Sequence, residues 1–169
     1  MQLVRLEKHH LEYANELRNK YIDFIRQPYP HNLEDQIKWY EKTNDIYWII
    51  EDDIMCAEAE ERSYDHYMFG IIGLTNIDLL HRKAELSLIT EGYLIKQYAD
   101  FAMDEVEQYA FEKLNLNKLF LTVFEWDIKK MKYFSDRYTK ECFLREDVMH
   151  KGKFYNHYYF SKLAKEYFK

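Results

Sequence analysis

The stretch EGYLIKQYADFAMDEV, residues 91–106, stands between a predicted strand and a predicted helix. Many enzymes bind a phosphate at such a junction, because unpaired N–H groups at a helix N-terminus point at the anion. These turns usually carry glycines, which let the backbone approach the phosphate closely. Here Ile95, Gln97 and Ala99 occupy alternate positions. The segment therefore has the location of a phosphate-binding turn and lacks its glycines.

Other residue patterns that carry catalytic chemistry are missing from the sequence. The seven histidines form no HExxH motif, and neither Cys56 nor Cys142 has a partner at zinc-ligand spacing. No serine stands in a GxSxG setting, and no Cys-His signature supports covalent catalysis. We therefore expect no metal site and no covalent enzyme intermediate.

Bulk properties restrict the class of protein. The length of 169 residues suits one domain, 1–169, with one substantial core. A formal net charge of -6 disfavours nucleic-acid binding, which needs a basic surface. The opening MQLVRLEKHHLEY has charges where a signal peptide needs an apolar run, and no run of about 18 apolar residues could span a membrane. With two scattered cysteines, we expect a cytoplasmic protein without nucleic-acid or membrane partners.

Hydrophobic periodicity predicts a mixed α/β chain in the order β, α, α, β, β, β, α, β, α, β, β. Strands are expected at 2–8, 46–52, 68–78, 83–90 and 117–125, helices at 10–19, 33–43, 96–114 and 127–138, and a final hairpin at 142–164. The acidic segment 53–67 is interpreted as a hairpin connection.

Single residues add local expectations. Asn32 can cap the second helix, and Asp127 stands at the N-cap or in the first turn of the fourth. Gly70 and Gly73 indicate a bulge or a close approach of another backbone. The second helix is expected to bury a stripe formed by Leu33, Ile37 and Tyr40.

The order of elements, with IGLTNIDLLHRKAELSLI (72–89) and YAFEKLNLNKLFLTVFE (109–125), resembles the GCN5-related N-acetyltransferase superfamily. The similar branch contains ribosomal-protein N-terminal, polyamine and nucleotide-amino-sugar acetyltransferases. Segments 17–42 and 147–163 match its N-terminal helices and final hairpin, so the resemblance covers nearly the whole chain. It implies a single-domain α/β fold with a mixed, mostly antiparallel sheet of about seven strands and about four flanking helices.

The resemblance also implies an activity, which is direct transfer of an acetyl group from acetyl-CoA to a primary amine. The acceptor would be a small-molecule amine or a protein N-terminus. Glu85 matches a glutamate near the acceptor and is the candidate general base. Backbone groups at Leu88 and Ile89 would meet the pantetheine arm and polarise the thioester carbonyl. Tyr29 and Trp39 fall in the region that shapes the acceptor pocket.

The cofactor-binding turn departs from the family pattern. The pyrophosphate motif, Gln or Arg, two residues, Gly, any residue, then Gly or Ala, aligns with residues 94–99, and only Ala99 fits. Lys96 and Tyr98 belong to the same candidate cofactor site, and Gln97 places a side chain where the diphosphate would lie. We therefore expect a degenerate pyrophosphate loop.

The fourth helix departs at two further positions. Asp127 stands where the family often has an asparagine that contacts coenzyme A. Phe134 stands where a tyrosine often protonates the leaving thiolate, and phenylalanine has no proton to give. Tyr133, one residue away, is the alternative proton donor, although one residue corresponds to about 100° around a helix.

These departures leave two functions open. The first is an acetyl-CoA-dependent N-acetyltransferase, and the second is a catalytically silent protein of the same fold that binds a partner. Either function allows a homodimer. The role of Glu85 is also open, because this residue could instead form an ion pair with Arg82 or Lys83 in the strand. Tyr29 and Trp39 could instead be core aromatic residues.

Overall fold

The computed structural model describes residues 1–52, 68–92 and 95–169. Within these ranges seven strands form one sheet. The strands are β1 (Gln2–Arg5), β2 (Ile46–Glu51), β3 (Met68–Asp78), β4 (Lys83–Thr90), β5 (Lys118–Phe124), β6 (Thr139–His150) and β7 (Lys153–Leu163), in the spatial order β1-β2-β3-β4-β5-β7-β6. The α-helices are α1 (Leu11–Lys20), α2 (Leu33–Lys42), α3 (Lys96–Gln108), α4 (Ile128–Arg137) and α5 (Ala164–Tyr167).

Strand directions confirm a mixed sheet. The pairs β1–β2, β2–β3, β5–β7 and β6–β7 are antiparallel. The pair β4–β5 is parallel, and its register joins residues 83–85 to residues 118–120. β4 continues to Thr90, five residues past its last pair with β5. This extension of β4 contains Leu88 and Ile89, whose backbone groups are the predicted contacts of the pantetheine arm.

Two compact units divide the chain, and the first comprises Met1–Thr75 and Ser87–Val106. Its core joins α1 to β2 and β3 through side chains such as Leu11, Leu17 and Ile49. The expected close approach of another backbone is confirmed at Gly70, whereas Gly73 lies nearest to a side chain. A Cβ on Gly70 would lie 2.6 Å from the carbonyl oxygen of Ile89, and one on Gly73 would meet the ring of Tyr47.

The buried face of α2 agrees in part with the predicted stripe, because Ile37 and Tyr40 pack against the core and Leu33 does not. Asn32 caps the helix as expected, because its Oδ1 accepts a hydrogen bond from the Asp35 N–H at 2.9 Å. Leu33, however, is 39% exposed, whereas Gln36 is only 2% exposed. Leu33 stands at the N-terminus of the helix and escapes the core, and the buried face is centred near Gln36. An amide group therefore lies on the buried face of the helix.

The second unit comprises Asn76–Leu86 and Glu107–Lys169, and it contains a buried ionic cluster. The Glu107 side chain is buried and accepts hydrogen bonds from Arg137 Nε at 2.8 Å, Tyr138 OH at 3.2 Å and Lys162 Nζ at 2.6 Å. Burial, and next the negative charge of Glu107, raise the pKa of Tyr138 well above its ordinary value. The cluster joins the end of α3 to Arg137 of α4 and to β7.

Most predicted elements are confirmed, and their ends differ. β1 stops at Arg5, because a turn follows in which the Glu7 N–H donates to His10 Nδ1 at 3.0 Å. The helix expected at 96–114 ends as a π-helical turn, Tyr109–Lys113. Asp127 caps α4 and accepts from the Lys130 N–H at 3.0 Å. The short helix α5 was not predicted, and the predicted hairpin connection at 53–67 lies outside the described residues.

We expect Glu107→Ala to lower the free energy of unfolding by about 3 kcal/mol, because the change leaves two partly buried cations without their carboxylate. Urea unfolding followed by circular dichroism measures the difference. Glu105→Ala is the matched control, since Glu105 is exposed on the same helix, and we expect it to change stability by less than about 0.5 kcal/mol. Equal effects of the two substitutions would show that the cluster contributes no stability.

His10 predicts a pH dependence of stability. Burial, and next the charge of His9, lower the pKa of His10 in the folded protein below the ordinary value of 6.5. The unfolded chain therefore binds the proton first, and the free energy of unfolding falls as the pH drops below about 6.5.

Urea unfolding at pH 7 and pH 5 tests this expectation. His10→Gln should reduce the pH dependence, because glutamine carries no titrating group and its Oε1 can still accept a hydrogen bond. His31→Gln is the control and should keep the wild-type slope. A wild-type slope in His10→Gln would contradict the assignment.

Candidate active site

β4 positions the predicted general base. Glu85 is 4% exposed, and its Oε2 accepts a hydrogen bond from Asn76 Nδ2 at 2.8 Å. Asn76 adopts a φ of 49°, a left-handed conformation that asparagine tolerates better than most residues. Of the two cations that could have paired with Glu85, Arg82 donates to both the main-chain oxygen and the Oδ1 of Asn115, each at 2.6 Å. An amide thus orients Glu85, and its role as a base stays a prediction.

A small pocket lies in the first unit beside β4. Its volume is about 20 Å³, and it is partly open to solvent. Arg18, Gln36 and Ser87 supply polar groups to its lining, and Trp39 and Tyr47 supply aromatic rings. Ser87 is two residues after Glu85, so the two side chains project from the same face of β4. The pocket therefore has a mixed lining and borders the strand that carries the candidate base.

The two predicted acceptor-binding aromatic residues have different environments. Trp39 lines the pocket, with its ring edge-on to Tyr47 at 5.1 Å between centroids. The guanidinium carbon of Arg18 lies 5.3 Å from the Trp39 ring centroid, a cation–π distance. Tyr29 is 62% exposed and lies beside His31. The structure thus places Trp39 at the pocket and Tyr29 on the surface.

Arg18 is held by a local network. Its Nε donates to Gln27 Oε1 at 3.2 Å, and Gln27 Nε2 in turn donates to Asn19 Oδ1 at 2.9 Å. Burial lowers the pKa of the Arg18 guanidinium below its ordinary value. Sequence reasoning missed Arg18 and Gln36 as site residues. Each stands among polar neighbours on a helix, so no local pattern separates them from solvent-facing residues.

The turn after β4 has balanced charges. Lys20 Nζ lies 2.6 Å from Glu91 Oε2, so the negative charge of Glu91 is offset. Lys96 forms an ion pair with Asp100 one turn along α3, so its positive charge is offset as well. The Ile95 N–H donates to Thr90 Oγ1 at 3.2 Å and ties the start of α3 to the end of β4. The first N–H groups of α3 are therefore the main feature of this turn suited to an anion.

Side chains of the candidate cofactor turn divide into packed and exposed. Tyr98 is buried, with its ring stacked on Phe69 at 4.4 Å, and burial raises its pKa above the ordinary value. Ala99 is fully buried, whereas Gln97 is exposed. The side chains of Tyr98 and Ala99 pack in the interior, so these residues would bind the cofactor only through their backbone groups.

The α4 candidates lie in the second unit. Asp127 is 2% exposed, and one carboxylate oxygen serves as the helix cap. Phe134 is also 2% exposed and packs edge-on against Tyr138. Tyr133 is half-buried, with its ring edge-on to Phe134 at 5.1 Å. Phe134 is thus a core residue, and of these two aromatic residues only Tyr133 has a hydroxyl group.

The side chains of Leu88 and Ile89 are buried in the core. The described residues contain no cluster of histidine, cysteine, aspartate or glutamate that could hold a metal ion. In the same part of the chain, no helix is both long enough and apolar enough to cross a bilayer.

Comparisons with known proteins give matches among solved structures. No family model matches the sequence, and no curated protein matches it. The spermidine N-acetyltransferase SpeG of Vibrio cholerae, in complex with CoA and spermine, superposes with a TM-score of 0.82 at 21% identity, covering 99% of this chain and 98% of that one.

Two further structures of that enzyme agree. A single-residue variant gives a TM-score of 0.81 at 19% identity, covering 99% of this chain and 97% of the other. A complex with manganese ions gives 0.76 at 20% identity, with coverage of 99% and 94%. The likeness extends over nearly the full length of both chains and confirms the fold that the sequence resemblance implied. The chain has the fold of the GCN5-related N-acetyltransferase superfamily.

Proposed function

We propose that this protein is an N-acetyltransferase that transfers an acetyl group directly from acetyl-CoA to a primary amine. The observation that carries the proposal is the full-length match in fold to a spermidine N-acetyltransferase whose structure contains CoA and spermine. A shared fold does not fix a function by itself, so the proposal also rests on what this chain's own residues offer.

The extension of β4 supports binding of the pantetheine arm. Its parallel pairing with β5 ends at Glu85, and the strand runs on to Thr90. Backbone N–H and C=O groups need partners when they are buried. We assign the backbone of Leu88 and Ile89 to the pantetheine amides and to the thioester carbonyl, which a backbone N–H would polarise.

The start of α3 supports binding of the diphosphate. The N–H groups of Lys96, Gln97 and Tyr98 belong to the first turn of a 13-residue helix and have no partner within that helix. The Lys20–Glu91 ion pair offsets the negative charge of Glu91 beside this turn. The Gln97 side chain is exposed and can move away from the diphosphate. These features fit an anion site weaker than a glycine-rich turn.

Glu85 and Tyr133 carry the proton transfers in this proposal. Glu85 accepts a proton as the amine nitrogen attacks the thioester carbon, and Asn76 holds one carboxylate oxygen in place. The carbon–sulfur bond then breaks, and Tyr133 donates its hydroxyl proton to the departing thiolate. Most of the rate enhancement comes from positioning the two substrates together.

Three observations favour the alternative of a catalytically silent protein. Lys96 is paired with Asp100, Asp127 caps its own helix, and Phe134 is a core residue. The first offsets a positive charge that could attract the diphosphate, and the other two affect positions that the family uses for the cofactor and for proton transfer. Binding of acetyl-CoA separates the two functions.

We expect acetyl-CoA to bind with a micromolar dissociation constant in isothermal titration calorimetry. Gln97→Gly should tighten binding by about tenfold or less, or roughly 1.4 kcal/mol, because it removes a side chain from the turn and frees the backbone. Gln97→Ala removes the side chain alone and should give a smaller gain. No heat and no thermal shift at millimolar acetyl-CoA would contradict the acetyltransferase proposal and support the silent protein.

When the assay uses an amine that the wild-type protein acetylates, Glu85→Gln should lower kcat by about 100-fold or more. Glutamine keeps the shape of the side chain but cannot take the proton. The dissociation constant for acetyl-CoA should stay unchanged. Release of free thiol, followed by a colorimetric reagent, measures the rate. Glu105→Gln, at an exposed position on α3, is the control and should keep full activity. An unchanged kcat in Glu85→Gln would remove Glu85 from the mechanism.

A further inference from the structure

The pocket beside β4 contains a buried donor for which the described part of the chain supplies no acceptor. Gln36 lines the pocket and is 2% exposed. Its Nε2 has no hydrogen-bond partner among the described residues. An unsatisfied buried amide lowers the stability of the folded protein. A polar group at this position is therefore retained at a cost to stability.

The guanidinium of Arg18 lines the same pocket and has no carboxylate partner in the part of the chain that the structure describes. Arg18 donates through Nε to Gln27 and lies against Trp39. Within residues 1–52, 68–92 and 95–169, no carboxylate lies within ion-pair distance of Arg18, and its Nη atoms make no hydrogen bond. A planar guanidinium held at Nε presents its remaining N–H groups in a fixed fork, which matches the two oxygens of a carboxylate.

The other described residues of the lining add no negative charge. Ser87 contributes a hydroxyl group, and the other lining residues are aromatic or aliphatic. The volume of about 20 Å³ leaves room for one or two water-sized groups. The two oxygens of a carboxylate match both this size and the supply of donors. A polyamine offers only N–H donors and positive charge, so the pocket suits it poorly.

We infer that this pocket binds the carboxylate of the acceptor, so that the acceptor is a small amine bearing a carboxylate, such as an amino acid. The inference rests on the proposed function for the identity of the ligand as an acceptor. Arg18 holds both carboxylate oxygens, and the Gln36 amide donates to one of them. Trp39 covers the guanidinium on one face. The acceptor then lies along the face of β4 that carries Ser87.

A pair of ligands differing only in the carboxylate tests the inference. Glycylglycine and glycylglycinamide have the same free amine, and the second replaces the carboxylate with a neutral amide. Calorimetric titration without acetyl-CoA measures binding independently of catalysis. We expect glycylglycine to bind at least about tenfold more tightly than its amide, since a charge-assisted bidentate pair is lost in the amide. Spermidine should bind more weakly than glycylglycine.

Three variants assign the preference to the pocket. Arg18→Gln should bring the ratio of the two dissociation constants to about one. Gln36→Leu should weaken glycylglycine binding several-fold while the unliganded protein keeps or gains stability, because it removes an unsatisfied buried group. This second variant keeps the test open if Arg18→Gln fails to fold. Arg5→Gln is the control, since Arg5 is exposed and also lies over a tryptophan ring, at 5.4 Å, and it should leave the ratio unchanged.

The outcomes distinguish this inference from the proposed function. Equal binding of the two dipeptides, tighter binding of spermidine, or loss of both affinities to the same extent in Arg18→Gln would overturn the carboxylate assignment and leave only water in the pocket. Carboxylate-selective binding without acetyl transfer would leave the pocket assignment standing and remove the enzyme. Equally fast acetylation of amines with and without a carboxylate would confirm the enzyme and overturn the pocket assignment.

Discussion

The unequal pairing of β4 is the constraint on which the candidate site depends. The strand runs parallel to β5 for three residue pairs and then continues for five more residues. β3 is the neighbour of β4 on the other side. Side chains at 88–90 are buried, so the backbone groups there that point away from β3 need hydrogen-bond partners other than bulk water. The chain is built to hold this segment in place. Gly70 lets β3 approach closely at Ile89, and Thr90 ties the strand end to the start of α3.

Polar groups in the interior of the protein are of two kinds. Glu107 is satisfied by three donors, so its cluster stabilises the second unit. Arg18 and Gln36 differ, because they face a pocket in which Gln36 Nε2 has no acceptor among the described residues and Arg18 uses only its Nε, toward Gln27. A satisfied network serves the fold, whereas an incomplete one costs stability until a ligand completes it. This difference leads us to assign the first cluster to structure and the pocket to binding.

Sequence reasoning succeeded where one segment determines the outcome. β3 and β4 have the predicted bounds because apolar runs there end at turn residues, and Asn32 and Asp127 cap helices because side-chain oxygens satisfy N–H groups nearby. The sequence reading failed where distant segments decide. Gln36 and Glu107 have polar side chains of the kind that usually face solvent. Both are buried, because segments distant in sequence cover them. The pocket was not predicted for the same reason, since α1, α2 and the three strands β2, β3 and β4 all contribute to its lining. Trp39 lines the pocket and Tyr29 is exposed, and the predicted part of each in acceptor binding stays a prediction.

The central claim is that the backbone of β4 and the start of α3 bind acetyl-CoA, and amide hydrogen exchange tests it most directly. Residue-resolved exchange by NMR would compare the free protein with the protein saturated by acetyl-CoA. We predict slower exchange at the Leu88 or Ile89 amide and at the amides of Lys96 and Gln97, because the cofactor supplies the acceptors these groups need. Unchanged exchange at these amides, with protection confined to other parts of the chain, would contradict the account.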